Sequence, residues 1–530
     1  MNDRLDARER SATWMADIAA PADPTSCSDP LGWGLPPRGV APAGYADAVR
    51  RACRDYNLSE PRPHTQGCAG AGQRPGRAAL RAASGLVPVA FGHGLSRCAL
   101  HRICSFGIAN CGPGSSAGLR GLQVRARFVG PAIFMPHISW ADVTAGSGAT
   151  ATMLVGRYCP PAAGDYRVDL RLLWWAPHDT AAQQIFLGGR QGVGATSADA
   201  ARLRRCEAMS AVPLVGAESW LRVHAAASLA PPPPPLPPCN RNSSLAGHWL
   251  RLPEGAPAGP FRGAPEALGE AGGRWSNGGW GAFMGPEEEG HSRWAWASRS
   301  CAHRYYTPRS AELCTRQRRL RHILFYGDSQ ARNLYITAAR YLGLPILSDA
   351  ELKQRMNYEG LATHQVATRR EGLELNLAYT WEATEHEWNK TLAPALRRLR
   401  PDVVVFNLAV SHNLPVRARG AGKPIDAMPK AFAAWLRARR EAGPRPITWV
   451  YHRAPALQGQ RNPHFTDSLI RRFDEAIART LSPLGVRLLE TELPLLHRFD
   501  AMPSDGWHLL MNSTSAMLTA NLLFALLCGD

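Results

Sequence analysis

The chain has 530 residues, too many for one ordinary hydrophobic core, so two or more domains are expected. Apolar residues make up 45% and charged residues 20%, a globular balance that excludes wholesale disorder. The formal net charge is +18, but only four of the 61 basic residues are lysines and the arginines are scattered. There is no basic tail and no aromatic-plus-basic signature that selects nucleic acid, while a polyanion such as an acidic glycan stays open as a partner.

Residues 1–115 are rich in Gly, Pro, Ala and Arg and read as loop-rich or partly disordered. The stretch from Met1 to Trp14 is charged and lacks the apolar centre of a signal peptide. Against that stand 12 cysteines and four N-x-S/T sequons, at Asn57, Asn242, Asn389 and Asn512, a weak secretory hint. A truncated or misassigned start would reconcile the two. Cys98, His101 and Cys104 have ligand-like spacing with Cys111 nearby. Without a paired C-x-x-C, a disulfide or free thiols is the favoured reading over a metal.

Residues 116–228 change character. Leu122–Val129, Ala149–Val155 and Tyr166–Trp174 alternate apolar and polar residues between Gly and Pro turns. Short period-two runs of this kind predict an immunoglobulin-like β-sandwich. Ala163 to Leu170 resembles the late strand of filamin-type immunoglobulin repeats. Residues 229–238 hold a near-continuous proline run that reads as an extended spacer. Residues 239–320 are dense in tryptophan (Trp249, Trp275, Trp280, Trp294, Trp296), with Cys239, Cys301 and Cys314 around them.

From 321 to 530 the pattern is α/β. Strands are predicted at 322–326, 402–407, 447–451 and 486–490. Helices are predicted at 331–342, 431–440, 465–481 and 513–527. Alternation of this kind implies a parallel sheet covered on both faces. No segment is long and apolar enough to span a membrane.

The sharpest motif is Gly327-Asp328-Ser329 between the first of these strands and the helix after it. Gly permits a tight turn, the turn exposes a hydroxyl, and the helix N-terminus favours negative charge nearby. Asp328 or Ser329 as a plain N-cap is the competing reading. A serine nucleophile needs a base, and Asp505-Gly-Trp-His508 precedes the last helix. His508 would take the Ser329 proton and Asp505 would orient the imidazole. A turn aspartate and a surface histidine are the alternative. No Walker loop, dinucleotide fingerprint or H-E-x-x-H points to a nucleotide or metal, so no cofactor is expected.

Together these motifs resemble the GDSL/SGNH hydrolase superfamily, and its PC-esterase branch in particular. That branch holds the trichome-birefringence-like polysaccharide O-acetyltransferases, the sialate O-acetyltransferases and the neurexophilin-and-PC-esterase (NXPE) proteins. The match covers roughly 239–530. Gly327-Asp328-Ser329-x-x-Arg332-Asn333 carries the first block and Asp505-x-x-His508 the last. Gly247-His-Trp249, Trp294-Ala-Trp296 and Cys301 are similar to the lead-in of the plant group. The preceding sandwich is closer to the neurexophilin arrangement. The resemblance implies a three-layer α/β/α domain. It implies O-acetyl transfer to a glycan hydroxyl through an acyl-serine, from an acetyl donor, with a Ser329–His508–Asp505 triad. Esterase activity of the same fold and a non-catalytic secreted binding module are the alternatives. Oxyanion donors would be the Ser329 N–H and Asn407, although Asn407 as a turn cap is equally open. Arg332, one helical turn from Ser329, is a candidate substrate contact, with pairing to a structural carboxylate the favoured alternative. His412 and His452-Arg453, on loops at the rim, are candidate sugar contacts or competing bases, with satisfied loop residues the favoured alternative. Trp381 and Trp507 could stack on sugar faces. Cys301 with Cys314 is one candidate disulfide, with Cys239 and Cys528 as further partners. The resemblance places the protein in the Golgi lumen or outside the cell.

Overall fold

The computed structural model describes residues 87–100, 102–112, 122–144, 150–175, 212–213, 220–224, 236–239, 247–251, 294–298, 301–302, 305–344, 364–370, 373–381, 387–408, 426–442, 446–453, 467–491 and 514–529. Two compact units divide the chain: Met1–Pro235 with His248–Arg251, and Leu236–Gly247 with Leu252–Asp530.

The first unit is all β. Its strands are β1 (Pro88–Phe91), β2 (Arg97–Ala99), β3 (Cys104–Asn110), β4 (Leu122–Val129), β5 (Ala132–Phe134), β6 (His137–Thr144), β7 (Thr150–Tyr158), β8 (Gly164–Trp175), β9 (Val212–Pro213), β10 (Trp220–His224) and β11 (Gly247–Arg251). One sheet runs β1-β3-β7-β6, and a second runs β11-β5-β4-β8-β10-β2 with β9 beside β8. Every pairing is antiparallel except β10 with β2. Side chains from both sheets meet in a single cluster, including Phe106, Ile108 and Leu154 from the first and Phe128, Phe134 and Leu170 from the second. Phe128 stacks on Phe134 with centroids 4.8 Å apart and leans on Tyr158 at 4.4 Å. The period-two pattern read at 122–129 and 166–174 produces this core, because alternate residues of β4 and β8 point inward.

Strands β1 to β3 fall inside the region read from sequence as loop-rich. Their signal is weak because β1 is buried at all four positions and β3 at five of seven, so neither alternates. Cys98 and Cys104 form a disulfide, one of the two readings the sequence favours over a metal.

The second unit begins with β12 (Trp294–Ser298) and helix α1 (Pro308–Gln317). Cys239–Cys301 and Cys314–Cys528 are the disulfides here, so the candidate pairing of Cys301 with Cys314 is corrected. Cys314 lies on α1 and Cys528 ends the last helix, a contact 214 residues apart that no local spacing announces.

The α/β sheet is built from β13 (His322–Gly327), β14 (His364–Arg370), β15 (Leu373–Trp381), β16 (Val403–Phe406), β17 (Thr448–Arg453) and β18 (Arg487–Glu490). Its order is β14-β15-β13-β16-β17-β18. All pairings are parallel except the β14–β15 hairpin at one edge. The chain steps from β13 to β15 on one side and then crosses to β16 on the other. The order therefore reverses between β13 and β16, and open parallel sheets bind ligands in the crevice at such a reversal.

Helices α2 (Ser329–Tyr341), α3 (Leu392–Leu399), α4 (Ala427–Ala442), α5 (Asp467–Leu481) and α6 (Thr514–Cys528) cover the sheet. Leu324, Val404, Phe406 and Trp449 pack on one face against Leu392 of α3, Phe432 and Leu436 of α4 and Ile477 of α5. On the other face Phe325 meets Tyr335 of α2, and Tyr341 of α2 stacks on Phe524 of α6. Helix α6 is apolar around nearly its whole circumference and correspondingly buried. Its one buried amide, Asn521, donates to Tyr306 O and Tyr341 Oη. Among the described residues no helix is long and apolar enough to cross a membrane.

Candidate active site

After His322, strand β13 is apolar and buried until it reaches Gly327 at its carboxyl end. Gly327 has φ +143, and a Cβ there would lie 1.9 Å from Asn407 Oδ1. The position therefore demands glycine twice over, by backbone conformation and by close approach.

Asp328 follows as the N-cap of α2. Its Oδ1 accepts from Gln330 N at 2.9 Å and from Asn407 Nδ2 at 2.6 Å. In return the Asp328 N–H donates to Asn407 Oδ1 at 3.2 Å. Asn407 follows the carboxyl end of β16, so two hydrogen bonds clamp the two strand ends that flank the order reversal. Asp328 is fully buried and Asn407 1% exposed. A carboxylate in that position needs such donors, because burying an unpaired charge is prohibitively costly. Of the two capping readings, Asp328 takes the cap and Ser329 opens the helix, half-buried at its first turn. Tyr379 on β15 closes the other side, donating to Gly327 O at 3.1 Å.

Leu408, directly after Asn407, is fully buried at φ +53. A bulky residue in the left-handed region stores strain, and such strain gathers at functional sites. No sequence feature marks it.

His452 lies within β17 rather than on a loop, in the row after the pairs Tyr326–Phe406 and Phe406–Tyr451, level with Asn407. It is 2% exposed, and neither ring nitrogen has a hydrogen-bond partner among the described residues. Burial lowers its pKa to about 4, with the negative charge of Asp328 pulling the other way. The ring is therefore neutral at pH 7, able to donate from one nitrogen and accept at the other.

Arg453 also lies in the strand. Its guanidinium is 3.6 Å from Asp474 of α5 and 3.4 Å from Glu490 of β18. Asp474 also accepts from the Tyr451 hydroxyl at 2.8 Å. That web ties β17, β18 and α5 together and gives Arg453 a structural engagement. Arg332 is half-buried on α2, one turn beyond Ser329, and its Nε has no partner among the described residues.

The structure thus brings Gly327, Asp328, Ser329 and Asn407 to one crevice edge, with His452 beside them. Asp505, His508, His412 and Trp507 lie outside the described residues, and so does the side chain of Trp381. The described residues contain no cluster of His, Cys, Asp and Glu able to hold a metal. The Asp328–Asn407 clamp joins residues 79 apart, and sequence reasoning missed it because only the fold makes them neighbours.

No protein-family model matches the chain, and no curated protein does. Solved structures similar to it include a GDSL-like lipase from Parabacteroides merdae, at 14% identity and a TM-score of 0.27, covering 38% of this chain and 96% of the lipase. Another is a catalytic mutant of an acetylxylan esterase from Geobacillus stearothermophilus, at 9% identity and a TM-score of 0.25, covering 40% of this chain and 95% of that one. Overlaps this loose carry no weight in assigning a function.

Proposed function

We propose that this chain is a serine-dependent O-acyltransferase that moves an acetyl group onto a hydroxyl of a polysaccharide or glycoconjugate. The observation that carries the reading is the position of Ser329. It opens α2 directly after the Gly327-Asp328 turn, at the sheet's order reversal, with Asp328 rather than Ser329 spent on the cap.

In this reading Ser329 Oγ attacks the acetyl carbonyl carbon while His508 takes the hydroxyl proton. His508 then passes that proton to the donor's leaving atom as its bond to the acetyl carbon breaks. A sugar hydroxyl attacks the acyl-serine, giving its proton to His508, and collapse of the second tetrahedral intermediate returns a proton to Ser329. Asp505 orients and stabilises the imidazolium. The Ser329 N–H and the Asn407 amide are the oxyanion donors. Its two hydrogen bonds to Asp328 fix the plane of the Asn407 amide, and a donor group held in one orientation is the preorganisation an oxyanion site requires. Arg332 and His412 are substrate contacts at the rim, whereas Arg453 supports the strand ends through its carboxylate partners.

The first unit is an immunoglobulin-like sandwich in this proposal, with its two sheets on a common core. The disulfides Cys98–Cys104, Cys239–Cys301 and Cys314–Cys528 favour an oxidising compartment, the Golgi lumen or the exterior.

The reading is tested by fluorophosphonate labelling of the folded chain followed by peptide mapping. A single adduct on Ser329, absent in Ser329→Ala and much reduced in His508→Ala, is expected. A folded wild type that takes no label, or takes it elsewhere, removes the nucleophile. Transfer is separated from hydrolysis by adding an oligosaccharide acceptor to the acetylated enzyme, which should yield acetylated sugar in preference to free acetate.

A further inference from the structure

Asn389 ends a short 3-10 turn, Glu387–Asn389, just before α3. With Lys390 and Thr391 it forms an N-x-T sequon. Of the four sequons, this one falls among the described residues, and Asn57, Asn242 and Asn512 lie outside them. Asn389 and Lys390 are exposed, whereas Trp388 before them is buried in the core. Sequence alone ranks Asn389 no higher than the other three. The fold adds how its side chain is held and what an attached group would meet.

The amide of Asn389 has one orientation. The indole N–H of Trp435, on α4, donates to Asn389 Oδ1 at 2.8 Å on the exposed surface. An indole nitrogen only donates, so it is the amide oxygen that faces it. Nδ2 is turned the other way, and the Asn389 side chain makes no second hydrogen bond among the described residues. The indole is itself fixed. It stacks on Phe432 with centroids 5.4 Å apart, meets Trp388 at 6.4 Å and Trp449 edge-on at 6.3 Å, and carries the Arg439 guanidinium 5.6 Å from its centroid.

Nδ2 is the atom that bears the sugar in an N-linked glycan, and the amide oxygen survives the linkage. The contact with Trp435 is therefore kept in a modified chain, and the sugar projects into solvent. An amide held the opposite way, with Nδ2 against the protein, would lose its bond on modification. Thr391 supplies the hydroxyl of the sequon. In the fold that hydroxyl leaves α3 uncapped and shares a hydrogen bond with Tyr326 Oη at 3.0 Å. Glycosyl transfer acts on a chain entering the lumen, ahead of folding, so this bond closes after the reaction and does not obstruct it.

We infer that Asn389 is an acceptor site for an N-linked oligosaccharide, donated by a lipid-linked oligosaccharyl diphosphate. Asn389 Nδ2 attacks C1 of the first sugar, and the bond from C1 to the diphosphate oxygen breaks with its electron pair on that oxygen. The proton lost from the amide goes to the leaving diphosphate. The attached sugar then stands over the rim where the partly buried Trp435 meets water, a place for a bulky, solubilising group. The inference rests on the luminal or exterior location proposed above, because this transfer occurs there, and it is independent of acyl transfer.

The test uses the full chain preceded by a secretion leader, so that entry into the lumen does not depend on its own routing. The secreted monomer is purified from a eukaryotic host and digested with peptide-N-glycosidase in heavy-oxygen water, which converts an occupied asparagine to a labelled aspartate. Label at residue 389 in most molecules is expected, lost in Asn389→Gln and kept in Thr391→Ser. A folded, secreted monomer that is bare at Asn389 overturns the inference, and so does occupancy of Asn389 confined to aggregated chains. The chain without the leader tests the location separately. If it carries no glycan at any sequon while the leader-bearing chain is labelled at residue 389, the location reading falls and the acceptor site stands.

Discussion

Asn407 holds a buried carboxylate in place, and its removal exposes what that costs. In Asn407→Ala the Asp328 Oδ1 keeps only the Gln330 N–H of its two described donors, and its own N–H loses its acceptor. Hydrogen bonds to charged groups contribute about 1.5–3 kcal/mol, so chemical denaturation of this variant should register a loss of that size. Ser329→Ala, at a half-exposed helix start, should fall within about 0.5 kcal/mol of wild type. The two variants together separate a structural role from a chemical one. Gly327→Ala should be worse than either, because its Cβ meets Asn407 Oδ1 in a backbone conformation that L-residues avoid. His452 yields a pH signature. Its pKa falls from 6.5 to about 4 on folding, so the unfolded chain binds the proton more readily between those values. Its contribution is complete above pH 6.5 and is lost as pH falls toward 4, by about 3 kcal/mol in all. Stability measured from pH 7 to 4 should fall less steeply in His452→Gln, and identical slopes would contradict the assignment. Of these residues, Ser329 was legible because Gly-Asp-Ser sits between an apolar strand and a helix. Asn407 was legible as a position, at the end of Asp402-Val-Val-Val-Phe, but its bond to Asp328 was not, and neither was the strain at Leu408. Backbone angles and contacts over 79 residues leave no local mark.

Legibility differed among elements for a similar reason. The α/β alternation after residue 321 was readable because β13, β16 and β17 are short apolar runs, each followed by an amphipathic helix. Helix α2 starts two residues before the sequence pattern predicts, since Asp328 rather than a later residue takes the cap. The β14–β15 hairpin escaped notice even though Leu373, Leu375, Leu377 and Tyr379 alternate along β15. In the first unit, β1 and β3 hid in a Gly- and Arg-rich region because strands buried on both faces lose the period-two signal. The helix pair α1 and α6 owes its tie to Cys314 and Cys528, which closes a loop of 214 residues. Chain-entropy reasoning gives a cross-link of that span about 5 kcal/mol. Cys528→Ser should accordingly lower the unfolding midpoint of the full chain substantially, and reduction should have no further effect at this bond. An unchanged midpoint would mean that packing of α6 against α2 is sufficient by itself.

At the scale of the whole molecule, the sheet order β15-β13-β16-β17-β18 decides where chemistry can occur. Parallel strands deliver their carboxyl ends to one edge, and the reversal between β13 and β16 opens a crevice there. Ser329 and Asn407 arrive at that edge from opposite sides of the reversal, 78 residues apart in the chain. The claim on which the acyl-transfer account depends is that Ser329 carries the acetyl group. Incubation with an activated acetyl ester, rapid acid quench and mass spectrometry of the peptides test it most directly. The account requires a gain of one acetyl group on the peptide containing Ser329, absent in Ser329→Ala, that disappears when an oligosaccharide acceptor is added. Turnover of the ester by folded protein with no acetyl group on that peptide would contradict it.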